Sequence, residues 1–205
     1  MQNPPSSFRP SVIFGIVTLL VALALGGYAL LSNRIIPAGS GVALVGGPFT
    51  MVNQKGETVT DKTFLGKPML LFFGFTFCPD VCPTELQVMA TALTEMEASG
   101  ADIQPILVTV DPERDTPEVM AAYVSNFGER FTGLTGSPAQ IAEMAQTYRV
   151  FYAKQQNKAD PKNYQMDHSA IIYLMGADGK FLKHFSYSTD AKALAAGLKQ
   201  ALGRS

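Results

Sequence analysis

The hydrophobic positions of this chain fall into two regimes. From Val12 to Leu31 the residues are almost wholly apolar and carry no charge, bounded by Arg9 and Arg34. About 20 such residues are enough to cross a bilayer as a helix. Further on, short apolar runs alternate with amphipathic stretches and turns. Phe49 to Asn53 and Glu57 to Asp61 flank Gln54-Lys55-Gly56, a hairpin signal. Met69 to Phe75 reads as a buried strand. Leu86, Met89, Ala90, Leu93 and Met96 recur at helical spacing. They predict a helix from Pro83 to about Ser99, with Pro83 at its first position and Cys82 as N-cap. Ile103 to Val110 is strand-like again. Thr116-Pro117-Glu118 opens a helix to about Phe127, and Ser137-Pro138 starts another with Ile141, Met144, Ala145 and Tyr148 on one face. Ala153 to Asp167 has no apolar period and reads as a polar loop. Ala170 to Met175 and Lys180 to His184 pair across Gly176-Ala177-Asp178-Gly179, and Asp190 caps a last helix through Leu202.

This order predicts an α/β protein with a thioredoxin-like fold, a central mixed sheet flanked by helices, preceded by a single N-terminal transmembrane helix. The boundaries follow: 1–11 a short cytoplasmic N-terminus, 12–31 the anchor, 32–47 a linker, and 48–205 the folded domain. Pro37 to Gly47 is rich in Gly, Ala and Ser, as a linker should be. A cleaved signal peptide, processed near Ala38 or Ser40, is the competing reading, but its apolar region normally runs about 7 to 15 residues. Residues 1–10 hold one basic residue, against an Arg-rich mitochondrial presequence. A bacterial inner-membrane protein with its soluble domain facing the periplasm is the expected arrangement.

The chain has 205 residues, a net charge of -1 and no lysine/arginine block, so nucleic-acid binding has no electrostatic footprint. Two cysteines are too few for a disulfide-stapled scaffold, and the domain is large enough to need no staple. Both lie in Phe77-Cys78-Pro79-Asp80-Val81-Cys82-Pro83, between the first core strand and its helix. In open α/β sheets that edge is where ligand sites gather. The positive end of the helix favours thiolate over thiol, and two soft sulfurs held this close either bind a thiophilic metal or cycle between dithiol and disulfide. The plain alternative is a structural disulfide or two buried thiols. Thioredoxin-type reductases place two residues between their cysteines; the three here widen the turn enough to admit an ion.

Of the two histidines, His168 lies at the end of the polar loop, opposite the cysteine turn in a thioredoxin-like fold, where thioredoxins carry a cis-proline. Two thiolates and one imidazole make a soft set suited to copper, Cu(I) in particular. A lone histidine at such a junction is otherwise an ordinary polar residue. His184, at the far end of a hairpin strand, reads as structural or exposed.

Three motifs, Gly74-Phe75-Thr76-Phe77-Cys78-Pro79-Asp80-Val81-Cys82-Pro83-Thr84, Val110-Asp111-Pro112-Glu113-Arg114-Asp115-Thr116-Pro117 and Asp167-His168-Ser169, occur here in the order of the Sco/SenC family, which the chain resembles over about residues 45 to 203. The resemblance implies a membrane-anchored copper-binding protein of thioredoxin-like fold, with Cys78, Cys82 and His168 as copper ligands. It implies Cu(I) and/or Cu(II) as the ion and the binuclear copper A subunit of cytochrome c oxidase as partner, with other copper carriers as further partners. Asp111 has two readings, an oxygen donor to the metal or a group that orients a ligand beside it, and the second fits better. Asp115 or Thr116 reads as a helix cap, and Arg114 as the partner of a neighbouring carboxylate. Met166 is a soft thioether of no special note.

The leading function is metallochaperone. The alternative is a thiol–disulfide oxidoreductase that reduces the cysteines of the acceptor copper site, with Cys78 and Cys82 as its redox-active pair. A peroxiredoxin-like peroxidase ranks third, because only Phe77 separates Thr76 from Cys78 where those enzymes keep two residues. Zinc is disfavoured for want of a fourth ligand. The Ala153 to Asp167 loop is long enough to carry His168 onto or off a metal.

Overall fold

The computed structural model describes residues 10–35, 45–98, 100–156, 160 and 163–203. The chain divides into two units, Met1–Ala43 and Leu44–Ser205. The first contains helix α1 (Pro10–Ile35), 26 residues long, which takes in the uncharged run. Taken over the described residues, no helix is long and apolar enough to cross a membrane. Side chains at 12, 13, 15, 18 and 29–31 of that run lie outside the described set, as does most of the expected linker, 36–44.

The second unit is built on a mixed seven-stranded sheet of order β2-β1-β5-β4-β3-β8-β9. Its strands are β1 (Thr50–Asn53), β2 (Thr58–Thr60), β3 (Met69–Gly74), β4 (Gln104–Thr109), β5 (Thr132–Thr135), β8 (Ile171–Met175) and β9 (Phe181–Ser186). Strands β3, β4 and β5 are parallel neighbours, and β8 runs antiparallel to β3 in register Leu70↔Leu174. All six residues of β3 are buried. A strand hidden on both faces is apolar at every position rather than alternately, which is why Met69 to Phe73 is an unbroken hydrophobic run.

The crossover from β3 to β4 is α2 (Val81–Ala98), which buries Cys82, Leu86, Met89, Leu93 and Met96 and packs beside α5 (Ala191–Ala201). Helix α3 (Pro117–Val124) packs on β5, and α4 (Pro138–Thr147) follows β5 in the chain. Their starts follow side-chain logic: Thr116, Ser137 and Asp190 each accept a backbone N–H from three residues on, and Pro117 and Pro138 occupy first-turn positions that need no N–H.

Two sequence expectations are corrected. Helix α2 begins at Val81, so Cys82 lies inside its first turn instead of capping it; Pro83 is tolerated there because the first four N–H groups of a helix have no intrahelical acceptor. The stretch 153–167 is not one loop: β6 (Tyr152–Gln155) and β7 (Gln165–His168) pair antiparallel as a separate two-stranded sheet, while 157–159, 161 and 162 lie outside the described residues. Strand β5 had not been foreseen.

Candidate metal centre

Both sulfurs are presented by the junction between β3 and α2. The chain leaves β3 at Gly74, and the Cys78 N–H donates to the Phe75 carbonyl (3.4 Å). One turn later the Cys82 N–H points at Cys78 Sγ, 3.4 Å away. Cys82 is fully buried and Cys78 half-buried; both are free thiols. Hydrogen bonding from the Cys82 side chain, opposed by burial, holds the Cys78 thiol down at about 4. The neighbouring Cys78 and burial push the Cys82 thiol up. At neutral pH the coupled pair therefore holds one proton between its two sulfurs, and the Cys82 N–H aimed at Cys78 Sγ favours the thiolate on Cys78.

His168 comes from the end of β7, in register with Tyr152. Its ring stands edge-on to Phe72 and Phe75, with centroids 5.9 and 5.8 Å away. Nδ1 lies 3.3 Å from the Ser169 carbonyl oxygen, which can only accept, so Nδ1 carries the proton. Nε2 is left with a free lone pair, 3.4 Å from Cys82 Sγ. Metal-binding histidines are oriented this way, with one nitrogen tied to an acceptor and the other free. Ligand atoms of Cys78, Cys82 and His168 all lie within 4.8 Å of one another. The cluster borders a cleft of about 440 Å³ lined also by Phe75, Pro79, Val81 and Met166. Two sulfurs and one imidazole suit a soft ion of low coordination number. Among the described residues no carboxylate or further His joins the group, which leaves structural zinc one ligand short.

Asp111 is not in that group. It is buried, pairs with Arg114, and accepts the Tyr164 O–H at 2.6 Å. The expected carboxylate partner of Arg114 is thus Asp111 itself. Asp115 is no helix cap, a role that falls to Thr116 alone. Its carboxylate accepts from the Thr76 N–H (3.1 Å), the Thr76 hydroxyl (2.6 Å) and the Thr109 hydroxyl (2.5 Å). It therefore ties the loop two residues before Cys78 to β4. His184 is exposed and stacks on Phe181, far from any role in the cluster. Sequence reasoning missed Tyr164, although an aromatic residue closing a polar, lysine-bearing stretch was a usable signal.

A mixed sheet with a β3–α2 cysteine turn facing a histidine strand defines a thioredoxin-like domain with a soft three-donor cluster. Residues 37–203 match the SCO1/SenC family model, and the chain belongs to that family. It is 41% identical over 160 residues to "Protein SCO1 homolog 1, mitochondrial" of Arabidopsis thaliana, covering 78% of this chain but only 47% of that protein, about half its length. Among solved structures it is similar to Arabidopsis thaliana ScoI with copper bound (40% identity, TM-score 0.74, 78% of this chain and 98% of that one). Bradyrhizobium japonicum ScoI with copper bound gives 45% identity and a TM-score of 0.69, over 77% of this chain and 99% of that one. BsSco, described as a member of the Sco family of cytochrome c oxidase assembly proteins with a disulfide switch, gives 28% and 0.62, over 78% and 94%.

Proposed function

We propose that this protein is a copper metallochaperone, holding the ion between Cys78, Cys82 and His168 and passing it by ligand exchange to the binuclear copper A site of cytochrome c oxidase. The observation that carries the reading is the convergence of the three donor atoms within 4.8 Å, in a family whose members are solved with copper bound. Copper is the cargo here. The Cys78 thiolate and the Nε2 lone pair are ready to accept it, and Cys82 must lose its proton when it binds. Asp111 acts on the centre through Arg114 and Tyr164 and supplies no ligand. In this reading residues 12–31, within the 26-residue α1, anchor the chain in a bacterial inner membrane and 48–205 work in the periplasm. The uncharged sequence of that run supports the anchor. Further copper carriers would load the protein.

Anaerobic Cu(I) competition titration of the parent and His168→Ala tests this. One tightly held equivalent in the parent, with affinity lost in the variant while the Cys78–Cys82 disulfide still forms, supports carriage. Equal binding by both, or by neither, removes His168 from the ligand set.

The second reading, a thiol–disulfide oxidoreductase acting on the acceptor's cysteines, is favoured by the split between the two thiols. An accessible thiolate at Cys78 beside a buried, protonated Cys82 is the division between attacking and resolving cysteine. Cys78 would attack the partner disulfide, one partner thiolate would leave, and Cys82 would then displace the second as it forms the intramolecular bond.

A further inference from the structure

One guanidinium touches both chain segments that carry donor atoms. Arg114 lies in the loop between β4 and α3. Its Cζ stands 4.6 Å over the ring of Phe77, the residue before Cys78, and 3.7 Å over the ring of Tyr164, the residue before β7. Its Nε pairs with Asp111, and its Nη1 donates to the Tyr164 carbonyl at 3.1 Å. Tyr164 is held from other directions as well. Its O–H donates to Asp111 (2.6 Å), and Lys154 Nζ sits 3.8 Å over its ring while pairing with Glu113.

The strand that carries His168 needs such a fastening. Among the described residues strand β7 pairs only with β6, in a sheet separate from the seven-stranded one. Two-stranded sheets are marginal on their own; β8 fixes the chain three residues beyond His168, and the part of β7 that leads up to it is held by side chains. Its ring contacts with Phe72 and Phe75 supply part of this, and the Arg114 contacts supply the link to the cysteine loop. Arg114 Nη2 is buried with no acceptor among the described residues. A residue kept for stability alone would be expected to satisfy that N–H.

We infer that Arg114 is a positioning residue for the metal centre: stacked over Phe77 and Tyr164 and paired with Asp111, it fixes the His168 strand against the Cys78 loop. The inference rests on the ligand set proposed above. The sulfurs need no such help, because Cys82 and Cys78 are tied within one helical turn. Loss of Arg114 therefore removes the imidazole donor and spares the thiols.

The test combines Cu(I) competition with amide hydrogen exchange of the metal-free protein, on Arg114→Ala, Arg114→Lys, His168→Ala and the double variant Arg114→Ala/His168→Ala. Arg114→Ala is expected to lose Cu(I) affinity to the level of His168→Ala, and the double variant to fall no further. Exchange at Gln165 to His168 rises at least tenfold, while β3 and β4 stay protected. Arg114→Lys keeps a cation beside Asp111, and with it the fold, but lacks the planar fork; it shows the same two effects. Additive losses in the double variant, unchanged exchange in β7, faster exchange throughout β3 and β4, or full rescue by lysine would each overturn the inference. If the parent binds no Cu(I), the ligand reading fails, and the exchange data still decide whether Arg114 fastens β7.

Discussion

The Sγ of Cys82 lies 2.9 Å from the point where a β-carbon on Gly74 would stand. Gly74 ends β3, and its bare Cα lets the first turn of α2 settle its sulfur against the strand. Phe72 and Leu107 close the same space at 3.0 and 3.5 Å, so a methyl group there has nowhere to go. Gly74→Ala is expected to cost about 1–3 kcal/mol through overpacking. It should also displace Cys82 and lower Cu(I) affinity by roughly tenfold, the equivalent of about 1.4 kcal/mol. A urea titration beside the copper titration checks both; a variant with parental stability and affinity would show that the sulfur has room to move.

The unequal thiols give a kinetic signature. With its thiol held at about 4, Cys78 is already thiolate across the neutral range. Its alkylation by iodoacetamide is expected to be nearly flat from pH 5.5 to 8, whereas an ordinary cysteine accelerates about tenfold per unit there. Cys82, buried and protonated, stays unmodified until the protein unfolds. Mass spectrometry of quenched samples reads both rates. A Cys78 rate that climbs with pH like that of a free thiol would refute the proton assignment.

Asp115 holds the cysteine loop to the sheet. It is fully buried, and burial pushes its carboxyl above the ordinary range even though three donors converge on it. Asparagine would replace one carboxylate oxygen with an N–H₂; a threonine hydroxyl can accept from it, but that hydroxyl's own O–H then loses its acceptor. Asp115→Asn is expected to lose about 2–3 kcal/mol of stability. Asp115→Ala, which also empties a buried site, should lose at least as much. Chemical denaturation of the metal-free protein measures both, and a loss under about 0.5 kcal/mol would mean that the hydroxyls of Thr76 and Thr109 simply turn elsewhere.

Elements marked by a long apolar run or a clear turn signal were legible in the chain, and elements with neither were not. Strands β3, β4 and β8 carry apolar runs (residues 69–73, 106–108 and 171–175) because they are covered on both faces, and those runs stand out. Strand β5 is only four residues long and contains Gly133, whose missing side chain makes room for Met120 and Val124 of α3. The packing that requires the glycine erases the strand signal. Strands β6 and β7 look polar because they pair with each other near the surface, although Gln165, Met166, Asp167 and His168 do alternate outward and inward. The three donors were visible as residue types in motifs. Asp115 was not, because a local cap and a distant hub look identical in sequence; only the fold brings Thr76 and Thr109 to it.

The buried carboxyl of Glu85 makes stability depend on pH in a definite direction. Glu85 lies one turn beyond Cys82, is 1% exposed, and has its Oε2 buried with no partner among the described residues. Burial pushes the carboxyl from 4.5 up to about 7. Between those values the folded protein keeps a proton that the unfolded chain has released, so the Glu85 contribution to stability is highest below pH 4.5, falls as pH rises to 7, and is level beyond. The span corresponds to on the order of 3 kcal/mol. Cys78 contributes with the opposite sign, since its depressed thiol adds stability as pH rises through the same interval. Comparing Glu85→Gln with the parent at each pH cancels that contribution, because the variant keeps Cys78 and cannot ionise at position 85. The stability difference is expected to shift in favour of glutamine by about 2–3 kcal/mol between pH 4.5 and 8, measured by urea unfolding of the metal-free proteins. A difference that stays constant over that range would mean that Glu85 ionises in the fold as readily as in the unfolded chain, and that solvent or an acceptor reaches its buried oxygen.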